Sequence, residues 1–219
     1  MNVELEQDQS LRIDIYLLIA QLLRESPSQD LLHFLTEIEL NQGTQPMAIA
    51  WAKLKSAAQA GDVFKIEEEF QDLFIGVGRG EVVPFGSWHI AGALMEKPLS
   101  DLRQSLAELG FERNEDVKEP EDHMAALCEV MSLLIESSND EPKAAFAIQK
   151  KFFNQHISPW YLSLVNHIQQ SKSADFYLAV AALIEGYLSL EQVNFAENPM
   201  NKRNNSKIDV KNVVDSATN

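Results

Sequence analysis

An all-α fold of about ten helices is what this sequence predicts. Three observations carry that expectation. Apolar residues recur at steps of three and four nearly throughout. Proline, glycine and serine stand between those runs, where helices stop and start. No stretch alternates for long enough to found a sheet, V-V-P-F at Val82–Phe85 being too short.

The helices follow in order. Leu11, Ile15, Leu18, Ile19 and Leu22 make one wide apolar stripe, and Ser26-Pro27-Ser28 ends it. Leu31, Leu32, Leu35 and Ile38 mark a second helix. Pro46 sits at the first turn of a third, with Ile49, Trp51, Leu54 and Ala58 behind it. Gly61-Asp62 ends that helix and caps the next. There Val63, Ile66, Phe70, Leu73 and Phe74 share a face, leaving Glu67, Glu68, Glu69 and Asp72 for the others. The irregular G-V-G-R-G-E-V-V-P-F-G-S-W, Gly76 to Trp88, interrupts the pattern, since its glycines permit positive φ and Pro84 excludes helix.

Helices resume near Ser87 and after Pro98. The polar stretch 111–119 is a candidate hinge between an N-terminal helical half, 1–110, and a C-terminal half, 120–198. Pro120 fits the first position of a helix reaching about Glu136. Ser137–Asp140 turns the chain, Pro142 opens the next helix, and Ser158-Pro159 reads as a cap and first position for another. Ala174–Phe195 is the last strong helix. The tail 199–219 is polar and is expected to stay flexible unless something docks it.

Composition narrows the function. The 219 residues are 45% hydrophobic and 23% charged, enough for a sizeable core. The net charge of −15 repels nucleic acid and anionic lipid; it suits a basic peptide or protein face, and equally a charge that only keeps the protein soluble. Cys128 is the single cysteine, so neither an intrachain disulfide nor a cysteine-based zinc site forms. The acidic N-terminus does not resemble a signal peptide, and no uninterrupted apolar run approaches a membrane span. A cytoplasmic location is expected.

Candidate sites concentrate in two places. G-V-G-R-G follows a helix rather than a strand and lacks the Lys-Ser/Thr of a phosphate-binding loop, so it reads as a flexible loop. The aromatics around it, Phe74, Phe85 and Trp88, suit either a groove for an extended peptide or the core. The second place is E-P-E-D-H, Glu119–His123. Neighbouring Asp122 and His123 diverge by about 100° on a helix, which argues against a shared metal. No nucleophile motif accompanies them, and no catalytic residue is assigned. Helix capping and a recognition corner, with a histidine that changes charge near neutral pH, both remain open.

Three segments together resemble the TorD family of chaperones that mature molybdenum-containing redox enzymes. They are F-Q-D-L-F-I-G-V-G-R-G-E-V-V-P-F-G-S-W, then E-P-E-D-H, then F-F-N-Q-H-I-S-P-W with D-F-Y downstream. The resemblance implies an all-α protein without catalytic turnover. It implies binding to an apo-molybdoreductase catalytic subunit and its twin-arginine signal peptide before export, while the molybdenum cofactor is inserted. It maps the binding motif onto Leu73, Phe74, Pro84, Trp88, Pro120, Asp122 and His123. It implies no required cofactor, admits weak GTP binding, and admits a monomer or a homodimer that swaps helical halves. Two other readings stay open: a GTP hydrolase or switch working through the Gly76–Gly80 loop, and a helical adaptor without a peptide groove.

Overall fold

The computed structural model describes residues 2–40, 43–76, 80–113, 117–137 and 142–196. The centre of the glycine loop, the middle of the expected hinge, most of the Ser137–Asp140 turn and the 199–219 tail lie outside them. Among the described residues there are ten α-helices. They are α1 (Asn2–Arg24), α2 (Gln29–Glu37), α3 (Pro46–Ala60), α4 (Val63–Phe70), α5 (Gly86–Ala91), α6 (Lys97–Glu108), α7 (Met124–Glu136), α8 (Pro142–His156), α9 (Tyr161–Gln170) and α10 (Phe176–Ala196). No strand forms among those residues; the nearest approach is an antiparallel bridge between Phe85 and His123.

Local chemistry sets several starts as expected. The Ser28 hydroxyl accepts from the Leu31 N–H at 3.2 Å and caps α2. Asp62 Oδ1 accepts from Phe64 and Lys65 at 3.0 and 3.2 Å and caps α4. Pro46 stands in the first turn of α3. Helix α4 then widens into a π-helical turn, Gln71–Ile75, ended by Gly76 at φ 58°. The chain doubles back tightly here. Val82 N–H donates to the Leu73 carbonyl at 2.8 Å. A Cβ on Gly80 would stand 2.4 Å from that same oxygen, so only glycine fits.

Two starts and one acidic side chain depart from expectation. Pro120 is not in a helix: α7 begins at Met124, with His123 as its cap. Residues 120–123 are instead held against 84–87, and that pairing overrides proline's preference for a first helical turn. Ser158-Pro159 does not open α9, which begins at Tyr161 without a side-chain cap. And Glu69 is not on a solvated face: it is buried, and its carboxylate caps α10 from a distance in sequence of over a hundred residues.

One apolar core runs through all of this. Helix α1 packs along α7, and α10 against α3, α9 and α1. By length and mean hydropathy, 1.2, α10 would suffice to cross a membrane, more apolar than its interrupted sequence suggested. Here its sides are those of a core helix, with Phe176, Tyr177, Val180, Leu183, Ile184 and Leu188 buried. The large polar-tipped aromatics of the core have partners, as burial demands. Tyr177 and Tyr187 hydroxyls donate to the carbonyls of Leu22 and Arg12, each at 3.0 Å. Trp160 Nε1–H donates to the His156 carbonyl at 2.6 Å.

Candidate functional site

The two sequence motifs meet. Segment 84–87 and segment 122–124 are bound by three hydrogen bonds. Gly86 N–H donates to the Asp122 carbonyl (2.9 Å), Ser87 N–H donates to Asp122 Oδ2 (2.6 Å), and Met124 N–H donates to the Pro84 carbonyl (2.9 Å). Phe85 offers α5 no side-chain cap, so Asp122 satisfies the first N–H groups of that helix from outside. Gly86 lets the joint approach Trp160, whose Nε1 would lie 3.1 Å from a Cβ there.

His123 is equally committed. Its Nδ1 accepts from Ala125 N–H at 3.1 Å, which places the ring proton on Nε2, and its ring meets Phe85 edge-on at 4.9 Å. Burial, assisted by the positive charge of Arg24, pushes its pKa down to about 3. It therefore stays neutral near pH 7, contrary to the expected titration there. His89 behaves alike, pushed down to about 4 by burial, with Nε2 on the Val83 carbonyl (2.8 Å) and its ring stacked on Trp160.

This gives stability a pH dependence. Below about pH 6.5 the unfolded chain protonates His123 while the folded chain refuses the proton until about pH 3. Stability is thus complete above that range and falls as pH drops through it. The expected slope from His123 is about 1.4 kcal/mol per pH unit. Urea midpoints at pH 7.5, 6.5 and 5.5 check this. The slope should shrink in His123→Gln, and an identical slope in that variant contradicts the assignment.

Two cavities flank the joint. The first, about 510 Å³, lies among α5, α6, the start of α7, the end of α8 and Pro159-Trp160. Asp122 is in its wall, with Asp101, Glu108 and Lys151 among the other charges. Asp122 is 3% exposed, and its Oδ1 is buried without a hydrogen-bond partner. The second cavity, about 710 Å³, is floored by Leu106, Phe111, Val130 and Leu133. Glu119, Pro120 and Glu121 line this one. Helix α6 and residues 119–122 thus separate the two: Asp122 faces one side and the preceding three residues the other.

The motif's carboxylates differ sharply in availability. Glu119 pairs with Arg24 at 2.7 Å, and Arg24 also grips Glu129. Glu121 takes a forked contact from Arg103 (2.9 and 3.1 Å) and lies 3.5 Å from Arg113. Burial works against the charge of Glu121, but Arg103 and Arg113 more than offset it and hold its pKa below the usual value. Of the three, Asp122 is the one with a buried oxygen that lacks a partner. Of the expected aromatic groove, Phe85 meets this corner at His123, while Phe74 packs elsewhere. Leu73 is fully buried, and Phe74 packs on Phe70 and Tyr177, each at 5.2 Å. Pro84 is buried, Trp88 is half-buried on α5, and neither Phe74 nor Trp88 lines either cavity.

A family model described as the nitrate reductase delta subunit matches residues 40–166, which is more than half of the chain. The chain belongs to this family. The chaperone protein TorD of Vibrio atlanticus (strain LGP32) is 26% identical over 173 residues, covering 75% of this chain and 80% of that one. TorD of Vibrio cholerae (strain ATCC 39315 / El Tor Inaba N16961) is 25% identical over 162 residues, covering 71% and 73%. A crystal structure from Archaeoglobus fulgidus, of a protein described as a redox enzyme maturation protein, matches with a TM-score of 0.51 at 16% identity, over 83% of this chain and 94% of that one. That likeness speaks for the all-α fold.

As a TorD-family maturation chaperone, the protein is not an enzyme, and its site is to be judged by what it holds. The chaperone's cavity beside Asp122 contains residues that motif reasoning left without a role: Asp101, Glu108, His156 and Trp160. The last two sit in F-F-N-Q-H-I-S-P-W, the third family segment, which was the available signal. Asp101 and Glu108 carry none, because an exposed acid on an amphipathic helix looks the same whether or not a cavity opens beside it.

Proposed function

We propose that this chaperone works in the cytoplasm on an apo-molybdoenzyme, with trimethylamine N-oxide reductase as its client, and holds its twin-arginine signal peptide until the molybdenum cofactor is in place. One observation carries the reading: Asp122 lines a cavity that also holds Asp101, Glu108 and Lys151, and one oxygen of its carboxylate is buried without a donor. A buried acceptor left unpaired is costly, and a guanidinium entering from a partner supplies the missing donors with charge. Trp160, Ile90 and Pro159 offer apolar surface beside it. The chaperone needs no cofactor of its own for this. The reading applies to a monomer and to a dimer that exchanges halves alike.

The test is calorimetric titration of the full chain with a synthetic twin-arginine signal peptide. Asp122→Asn keeps an oxygen for Ser87 but turns an amide donor toward the guanidinium, so affinity should fall about tenfold or more while the melting curve stays two-state. Asp122→Ala is the poorer probe. It also strips the Ser87 bond and is expected to destabilise the joint by roughly 1–3 kcal/mol. A folded Asp122→Asn protein that binds the peptide unchanged overturns the proposal.

A further inference from the structure

We propose that the chain's own segment 199–219 occupies the Asp122 cavity as an internal ligand, entering with Lys202 and Arg203, and that a client must displace it. The competition and the order-of-chemistry argument rest on the client reading above; charge complementarity and reach rest on this chain alone.

Charge complementarity is the first argument. The whole chain carries −15, yet residues 199–219 hold Lys202, Arg203, Lys207 and Lys211 against Asp209 and Asp215. This is a net-positive segment on a strongly acidic protein. The cavity lining shows the opposite balance, with Asp101, Glu108 and Asp122 against Lys151; Lys97 pairs with Asp101 from outside the lining and Lys151 lies 3.7 Å from Glu108, which leaves Asp122 as the lining carboxylate with no ion pair among the described residues. His156 beside them has its pKa lowered by burial, which leaves the cavity's negative balance in place near pH 7. Asp122, in that lining, has one carboxylate oxygen buried without a hydrogen-bond partner.

The order of chemistry is the second. Lys202-Arg203 is a paired basic dipeptide, and Ile208, Val210, Val213 and Val214 follow it. A twin-arginine signal has paired arginines and then an apolar stretch. The segment thus repeats, in the same direction, the chemistry the cavity is proposed to read.

Reach is the third. Helix α10 ends at Ala196, and Phe195 packs on Phe153 of α8 with ring centres 5.2 Å apart. Gln155 and His156, two and three residues further along α8, line the cavity. Lys202 and Arg203 follow Ala196 by six and seven residues. An extended chain of that length spans about 20–25 Å, against only about 5 Å of helix rise between Phe153 and His156. An internal ligand on so short a tether acts at an effective concentration in the millimolar range, so weak contacts suffice to fill the site.

Disulfide trapping in the full chain tests occupancy. Arg203→Cys is combined with Gln155→Cys at the cavity, or with Glu67→Cys on exposed α4 as the control; the native Cys128 is buried. The expected result is a monomeric cross-link forming at least about tenfold faster with Gln155→Cys, and slowed again by Asp122→Asn. Equal rates at the two positions, or cross-links only between chains, overturn it. Competition is read separately, by titrating full-length Lys202→Ala/Arg203→Ala with the signal peptide, which should bind severalfold tighter than to the native chain; unchanged affinity overturns the displacement. The two proposals fail in different ways. Selective trapping with no signal-peptide binding by any variant removes the client reading and leaves the occupancy. Unselective trapping with peptide binding that depends on Asp122 does the reverse.

Discussion

Replacing Glu191 with alanine is expected to remove about 3–5 kcal/mol of folding stability. Glu191 lies in α10 and is 1% exposed. Its carboxylate accepts from Arg12 Nε (3.1 Å) and Nη2 (2.7 Å) and from the Tyr16 hydroxyl (3.0 Å), tying α1 to α10. Burial works against the charge of Arg12, yet the pairing with Glu191 more than offsets it and its pKa is raised. Truncation leaves the guanidinium without its counter-charge and a buried phenol without an acceptor, and each carries a desolvation penalty. The intact pair need not contribute that much: replacing Arg12 and Glu191 together by methionine is expected to come out near neutral. A double-mutant cycle on urea midpoints separates the two. A loss below 1 kcal/mol for Glu191→Ala, or an additive cycle, contradicts this account. The consequence reaches the site, because the same contact positions Phe195, under the Arg12 guanidinium at 5.7 Å, and so fixes where the chain leaves the core.

What the sequence disclosed and what it hid divide along one physical line. Helices are periodic and local, so the stripes of α1, α2 and α4 were legible, as were caps made by a residue upon its own helix, such as Ser28 and Asp62. Caps made across the fold were not. Asp122 satisfies α5 and Glu69 satisfies α10, and nothing nearby in the chain marks either as a cap. The same blindness displaced the start of α7. Pro120 before an apolar run is a sound local signal, but the hydrogen bonds of 122–124 to 84–87 are non-local and won.

The candidate site shows this division at the scale of one motif. That E-P-E-D-H matters could be read from its surplus of acids beside a histidine. Which acid is available could not, because that depends on where Arg24, Arg103 and Arg113 arrive. Three arginines of the chain neutralise Glu119 and Glu121, and none reaches Asp122 Oδ1. His123, which the motif places among the partner-binding residues, is also the cap of α7. The proposed recognition thereby falls on one carboxylate whose other oxygen is held by the Ser87 N–H, the condition under which a charged contact is worth most.

Glu69→Ala should cost nearly as much as Glu191→Ala, about 2–4 kcal/mol, though Glu69 makes no ion pair among the described residues. The first N–H groups of α10 converge on this one carboxylate: Asp175 and Tyr177 donate to Oε1, both at 2.8 Å, and Phe176 to Oε2 at 3.0 Å. Three N–H bonds to an anion at a helix N-terminus combine capping with the favourable end of the helix dipole. The neighbouring turn is held in the same manner, Glu81 accepting from Lys172 N–H at 2.9 Å and from the Ser171 and Ser173 hydroxyls, which draw its pKa down to about 2. Glu69 is the one of this pair that is buried, so its loss leaves N–H groups that water reaches poorly. Glutamine separates charge from shape. Its oxygen retains the Asp175 and Tyr177 bonds, but its amide points a donor at Phe176 N–H and the negative charge is gone, so Glu69→Gln should lie between native and alanine. Urea unfolding followed by tryptophan fluorescence gives the order native, glutamine, alanine if the carboxylate holds α10 in place. Glutamine and alanine both within about 0.5 kcal/mol of native would mean that α10 is fixed by its apolar packing alone.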